Sequence, residues 1–138
     1  NELKIPYFAH ENSVQYLTDP EFNLSRFVCG YDIILPEAKY FSDGEKIILE
    51  ANPELGLKVI HTPGHTLDSV VFYDEKNDLA FVGDTIFKDT HGRSDFPGGN
   101  LRQLKESIRE KILVLPDKTI LYSGHTEPTT VGAEKKYY

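Results

Sequence analysis

Apolar and polar positions along this chain alternate in short runs, a pattern that predicts several strands and a few helices. Residues 46–50 and 57–61 are strand-like apolar runs, separated by Asn52-Pro53-Glu54-Leu55-Gly56, a turn composition. Residues 70–73 and 79–82 flank Asp74-Glu75-Lys76-Asn77-Asp78, which reads as the polar connection of a hairpin. Residues 4–9 read as a leading strand and 11–17 as a short helix. Pro20 closes that helix, because it cannot continue the helix and turns Asp19 away from helical angles. Residues 21–44 are loop-rich, with a turn at Asp43-Gly44. Farther along, Leu101, Leu104, Ile108, Ile112 and Leu115 recur every three or four positions. They form the stripe of an amphipathic helix that Asn100 can cap and Pro116 ends. Residues 119–122 predict another strand, and a last helix begins near Thr130. Hairpins mixed with strand–helix alternation imply layered sheets with helices outside, an α/β (α+β) class. No internal repeat, low-complexity tract or linker interrupts the pattern.

Composition narrows the function classes. With 138 residues the chain fits one domain with a real core. A net charge of −7 without a run of Lys or Arg argues against nucleic acid, whose binding needs a basic surface. No apolar stretch approaches the ~20 residues that cross a bilayer, so no membrane partner is expected. With no basic-then-apolar leader in evidence, the expected location is cytoplasmic. The single cysteine, Cys29, excludes an internal disulfide and a multi-cysteine zinc site. Lying in Phe27-Val28-Cys29, it is expected to be a buried, inert thiol.

Candidate chemistry sits where strands run out. Thr62-Pro63-Gly64-His65-Thr66 follows the strand at 57–61, and its Pro-Gly turn presents His65 at the strand end. Phe81-Val82-Gly83-Asp84-Thr85 and Leu121-Tyr122-Ser123-Gly124-His125-Thr126 repeat the arrangement of apolar strand, glycine, then His or Asp. Side chains at strand ends can converge on one rim, and two imidazoles with a carboxylate suit Zn²⁺ or Fe²⁺. Separations of tens of residues do not suit a compact metal finger. A fourth segment, residues 88–99 (KDTHGRSDFPGG), is a polar, glycine-rich loop of the kind that function usually explains.

His-Thr-Pro-Gly-His-Thr (61–66), Phe-Val-Gly-Asp-Thr (81–85) and Ser-Gly-His-Thr-Glu-Pro (123–128) resemble successive signatures of the metallo-β-lactamase superfamily. Gly-Arg-Ser-Asp-Phe-Pro-Gly-Gly (92–99) and the tail Thr-Thr-Val-Gly-Ala-Glu-Lys-Lys are similar to small bacterial members of its glyoxalase II-like branch. The likeness runs in order over nearly the whole chain. It implies a four-layer αββα sandwich, with residues 1–138 forming one such domain, incomplete on its N-terminal side. The family's His-x-His-x-Asp-His motif, which supplies four further ligands, has no counterpart among His10, His61, His65, His91 and His125. With that absence and no Met, the chain reads as the later part of a longer protein.

The resemblance further implies two divalent metal ions, zinc first with iron or manganese as alternatives. His65 belongs to one ion, His125 to the other, and Asp84 bridges both and is the catalytic carboxylate. His61, His91, Arg93 and Asp95 are candidates for substrate contact or for support of the site, Arg93 and Asp95 as a pair bracing the loop. The implied reaction is hydrolysis of a small-molecule thioester, hydroxyacylglutathione-like, by a metal-bridging hydroxide. With three of the family's seven ligands, this chain alone is expected to bind metal weakly or not at all and to be inactive. Unpaired sheet edges and an apolar face would then favour self-association or pairing with the missing N-terminal segment. Two rivals remain: a mononuclear iron persulfide dioxygenase, to whose branch Gly-Arg-Ser-Asp-Phe is also similar, and a non-catalytic binding or scaffold module of the same fold.

Overall fold

The structure, a computed structural model, describes residues 6–35 and 38–138, which fall into two compact units, residues 1–42 and 43–138. In the first unit, strand β1 (Phe8–His10) pairs in parallel with β2 (Lys39–Phe41). The start of the leading strand expected at 4–9 lies outside the described residues. His10 is buried, and its Nδ1 accepts from the Asn12 N–H (3.2 Å), capping the 3₁₀ turn Glu11–Ser13 that leads into helix α1 (Val14–Thr18). The Asp19 carboxylate then accepts from the N–H groups of Glu21 and Phe22, which fixes the turn beyond the helix.

The loop-rich stretch contains one more helix, α2 (Ser25–Cys29). Here the expectation for Cys29 fails: the thiol is exposed. This single helical turn buries Ser25, whose hydroxyl accepts from the Ile33 N–H, while Phe27 and Val28 point outward at 88% and 73% exposure. An apolar run predicts burial only where a packing partner lies on its side.

The second unit is built on one six-stranded sheet. Its strands are β3 (Lys46–Leu49), β4 (Asn52–His61), β5 (Val70–Asp74), β6 (Leu79–Gly83), β9 (Ile120–Ser123) and β10 (Thr129–Thr130). They lie in the order β10-β9-β6-β5-β4-β3. Between β6 and β9 come a small hairpin of β7 (Ile86–Phe87) and β8 (Thr90–His91), then helix α3 (Leu101–Ser107); after β10 comes helix α4 (Val131–Glu134). The β5–β6 hairpin and the Asn100 cap, whose side chain accepts from the Gln103 N–H, stand as the sequence suggests. The turn expected at residues 52–56 does not. The chain reverses at Glu50-Ala51, and Asn52 already pairs with Leu49. The register then shifts, leaving Pro53 in a bulge, where its missing N–H costs no ladder bond.

Two strand directions decide where chemistry can occur. β4 runs antiparallel to β5, and β5 antiparallel to β6, so β4 and β6 point the same way; β9 is parallel to β6. The C-terminal ends of β4, β6 and β9 therefore reach the same edge of the sheet.

One face of that sheet is covered. Val71, Tyr73, Ala80, Val82 and Leu121 pack with Leu104, Ile108, Ile112 and Val131 in a single buried cluster. Each large side chain buried there contributes roughly 1.5–3 kcal/mol. The helical stripe holds at its centre and fails at its start, since Leu101 is 46% exposed. From Ile108 to Ile112 the winding widens to π, closed by the Leu113 N–H donating to the Ile108 carbonyl (2.9 Å). The wider turn places Leu113 in the core beside Ile112, a placement that a 3.6-residue period does not predict. The opposite face carries Phe81 and Tyr122, stacked at 5.7 Å and exposed at 46% and 38%.

Candidate functional site

The three strand-end segments meet. Oδ2 of Asp84 lies 3.1 Å from Nε2 of His125 and 3.7 Å from Nε2 of His65. A buried hydroxyl pair, Thr62 Oγ1 to Thr85 Oγ1 at 3.0 Å, ties the base of the His65 turn to the base of the Asp84 loop. The Gly124 N–H donates to the Gly83 carbonyl (3.0 Å), fastening the His125 loop to the same place.

Glycines let these segments approach so closely. Gly64 adopts φ +137°, and a Cβ there would fall 2.2 Å from the Leu104 backbone nitrogen. The chain then turns back so that the Gly64 carbonyl accepts from the Asn100 N–H (2.7 Å), and the Ser107 hydroxyl donates to the Pro63 carbonyl (2.8 Å). The His65 turn is thus seated on the start of α3. A Cβ on Gly92 would sit 1.9 Å from the Asp84 carbonyl, and one on Gly124 would sit 2.6 Å from Asp84 Oδ1.

His65 is fixed by its other nitrogen. Nδ1–H donates to the Arg93 carbonyl at 2.7 Å, and only a protonated Nδ1 can do so. In the neutral imidazole Nε2 then carries the lone pair, and it faces Asp84. A backbone carbonyl that sets the tautomer and orientation of an imidazole is the usual support of a metal-binding histidine. The Phe96 ring stands edge-on to His65 at 5.9 Å, and Arg93 lies over the Phe96 ring at 4.2 Å. His125 is held more loosely: its side chain is 69% exposed, against 16% for His65, and besides Asp84 it meets the edge of Phe87 at 5.7 Å.

The remaining predicted residues sort themselves by contact. His61 supports the turn: its Nε2–H donates to the Leu67 carbonyl (2.7 Å), and its backbone is bound by Asp43 and Lys111. Arg93 and Asp95 form a bidentate pair with both contacts at 2.6 Å, and this hydrogen bonding pulls the Asp95 carboxyl down to about 2. His91 lies away from Asp84: its Nδ1–H donates to the Gly92 carbonyl, and its ring lies 6.3 Å from that of Tyr138. The sequence assigns Glu134 no role beyond the tail motif, yet it is fully buried. Its carboxylate accepts from the Asp89 N–H (3.0 Å) and the Thr129 hydroxyl (2.6 Å), anchoring the tip of the β7–β8 hairpin. Lys88, in that tip, also pairs with Glu127 of the His125 loop.

Among the described residues no three His, Cys, Asp or Glu side chains stand as a ready-made cage for an ion. Both imidazoles contact one carboxylate oxygen instead of surrounding a common point. The donor set nevertheless fits a divalent cation in kind: an oriented imidazole, a carboxylate and a second, more exposed imidazole.

Strand-end loops thus bring two histidines and an aspartate together at one edge of the sheet. The family model of the metallo-beta-lactamase superfamily matches residues 2–125, and the chain belongs to that superfamily. It is 36% identical over 131 residues to YqgX of Bacillus subtilis, a probable metallo-hydrolase, covering 95% of this chain and 61% of that protein. It is 37% identical over 105 residues to the hydroxyacylglutathione hydrolase GloC of Haemophilus influenzae, covering 76% of this chain and 48% of that protein. The crystal structure of the B3 metallo-beta-lactamase BLEG-1 superposes with a TM-score of 0.84 at 34% identity, over 98% of this chain and 64% of that one. The fold is therefore of the metallo-β-lactamase type, a family that uses divalent metal. The chain spans about three fifths of the length of the curated relatives that match nearly all of it. No helix among the described residues is long and apolar enough to cross a membrane.

Proposed function

We propose that this chain contributes His65, Asp84 and His125 as metal ligands to a hydrolase that cleaves a small thioester of the hydroxyacylglutathione kind. The observation that carries the reading is the meeting of both imidazoles on Asp84 Oδ2, at 3.1 and 3.7 Å. The likeness to GloC supports the thioester. A divalent ion held there would supply Lewis acidity toward the carbonyl and lower the pKa of water to about 7.

The chain's own residues supply the rest. Asp84 offers two oxygens, so it can share a charge between two positions. His65 comes already oriented by the Arg93 carbonyl. The Arg93–Asp95 pair and Phe96 hold the loop that carries this carbonyl, which keeps the imidazole from rotating away. A thiolate leaving group needs little protonation, consistent with the lack of a general acid among the residues gathered around Asp84.

Three donors meet the usual count for one catalytic zinc only if all serve the same ion. We therefore expect residues 1–138 alone to bind Zn²⁺ weakly and to turn over nothing. The exposed Phe81–Tyr122 face is expected to promote self-association or pairing with further polypeptide, visible as concentration-dependent mass in light scattering; a monomer at every concentration speaks against it.

The direct test is turnover by the natural gene product that contains this chain. The expected result is hydrolysis of a hydroxyacylglutathione thioester, abolished by Asp84→Ala. Oxygen uptake with a persulfide and a single bound iron would select the dioxygenase instead. Absence of any turnover, with metal bound, would leave a scaffold module.

A further inference from the structure

We propose that Lys105, Arg109, Tyr137 and Tyr138, with the wall formed by Thr90 and His91, make a second ligand site that takes a phosphate group and is separate from the cluster around Asp84. A cavity of about 280 Å³ lies among these residues, between the α3 segment, β8 and the last residues of the chain. Lys105 and Arg109 are four positions apart and so share one side of the helix. Neither side chain forms an ion pair or hydrogen bond with any described residue. On the same helical segment, by contrast, Arg102 is paired with Glu106 and Lys111 with Asp43. In a chain of net charge −7, two neighbouring cations left facing a cavity are unmatched charge awaiting an anion.

The phenol of Tyr138 is the second observation. Its hydroxyl is buried and has no hydrogen-bond partner among the described residues. A buried hydroxyl without a partner costs stability that a ligand oxygen would restore. Burial, with the Glu134 carboxylate adding to it, pushes this phenol up to about 12, so it remains a neutral donor at physiological pH. His91 has its Nδ1–H committed to the Gly92 carbonyl and stands as a wall beside the Tyr138 ring. Asp89, at the border of the cavity, carries the wrong sign for an anion. Its charge is answered by Lys88 and Lys136, whose ammonium groups it holds above their ordinary pKa together with their own closer partners.

A guanidinium fork, an ammonium and a phenolic O–H are all donors, and a tetrahedral oxyanion offers enough acceptor oxygens for them. Two tyrosine rings leave apolar surface for an organic group attached to it. The proposal is independent of the hydrolase reading, because none of these side chains touches His65, Asp84 or His125.

Calorimetry at constant ionic strength, with inorganic phosphate and with glycerol phosphate as probes, tests it. Saturable one-site binding is expected. It should weaken by about tenfold or more in the Lys105→Gln, Arg109→Gln double variant, and by severalfold in Tyr138→Phe, which removes only the hydroxyl. Thermal melts of the variants should match the parent, and Asp84→Ala should leave phosphate binding unchanged. Equal affinity for both probes assigns the site to the free oxyanion; tighter glycerol phosphate assigns it to an organic phosphate. No saturable binding, binding that survives the double variant, or binding lost with Asp84→Ala would each overturn the proposal.

Discussion

The two histidine-bearing loops of the rim present the same side chain on different supports. The His65 turn is locked on every side: Gly64 against the α3 backbone, Ser107 on Pro63, Asn100 on Gly64, and the Arg93 carbonyl on the imidazole itself. The His125 loop is held to the sheet by one backbone bond from Gly124 and by contacts among Ser123, Thr126 and Lys88. Its imidazole is mostly in water. As metal ligands, one tightly held and one loosely held imidazole would keep a preferred geometry on one side and leave the other adjustable.

The largest effect that would break this contrast is at the glycines. Gly64→Ala forces a Cβ against fixed backbone at a φ that L residues avoid, and is expected to cost about 3 kcal/mol or more in a urea titration. Gly124→Ala meets only the tip of the Asp84 side chain, so its cost should be about 1 kcal/mol, with metal affinity reduced instead. Equal costs at the two positions would mean that the loops are equally constrained.

A smaller difference is expected between the histidines. His65→Ala leaves the Arg93 carbonyl without its donor and should cost roughly 1–3 kcal/mol, whereas His125→Ala should stay within about 0.5 kcal/mol. Denaturation of both variants without metal measures this, and a larger loss for His125 would contradict the assignment of the rigid side.

The smallest effect concerns pH. The Asp95 carboxyl is held down to about 2 by Arg93, below its ordinary 3.8. A carboxyl depressed in the folded state adds stability above its unfolded pKa and loses it as pH falls through its folded pKa. The brace on the His65 loop should therefore persist to about pH 4 and relax only between there and about pH 2. The pair is exposed, so the contribution is slight. Carboxyl chemical shifts on acid titration follow it; an Asp95 midpoint near 4 would remove the brace from the account.

How much of this was legible in the sequence depends on the range of the interactions. Local patterns read well: the β5–β6 hairpin, the Asn100 cap, the Thr130 start of α4, and the three strand–glycine–ligand segments. The meeting of those segments follows from strands of one direction, a topology that the strand–helix alternation suggests. What the sequence hides are contacts set by distant backbone. Nothing in Arg93 as a residue type announces that its carbonyl orients His65, and Glu134 looks like one more surface charge at the start of a charged tail. Cys29 and Leu101 fail for the converse reason, since no described residue covers their apolar neighbourhoods. The π turn at Ile108 brings Leu113 into the core beside Ile112, which periodic counting cannot see.

Zinc calorimetry on this chain bears most directly on the central claim that His65, Asp84 and His125 are metal ligands. Weak, saturable binding is expected, lost in Asp84→Ala and reduced in both histidine variants. Binding indifferent to Asp84→Ala, or tight uptake of two equivalents, would contradict it.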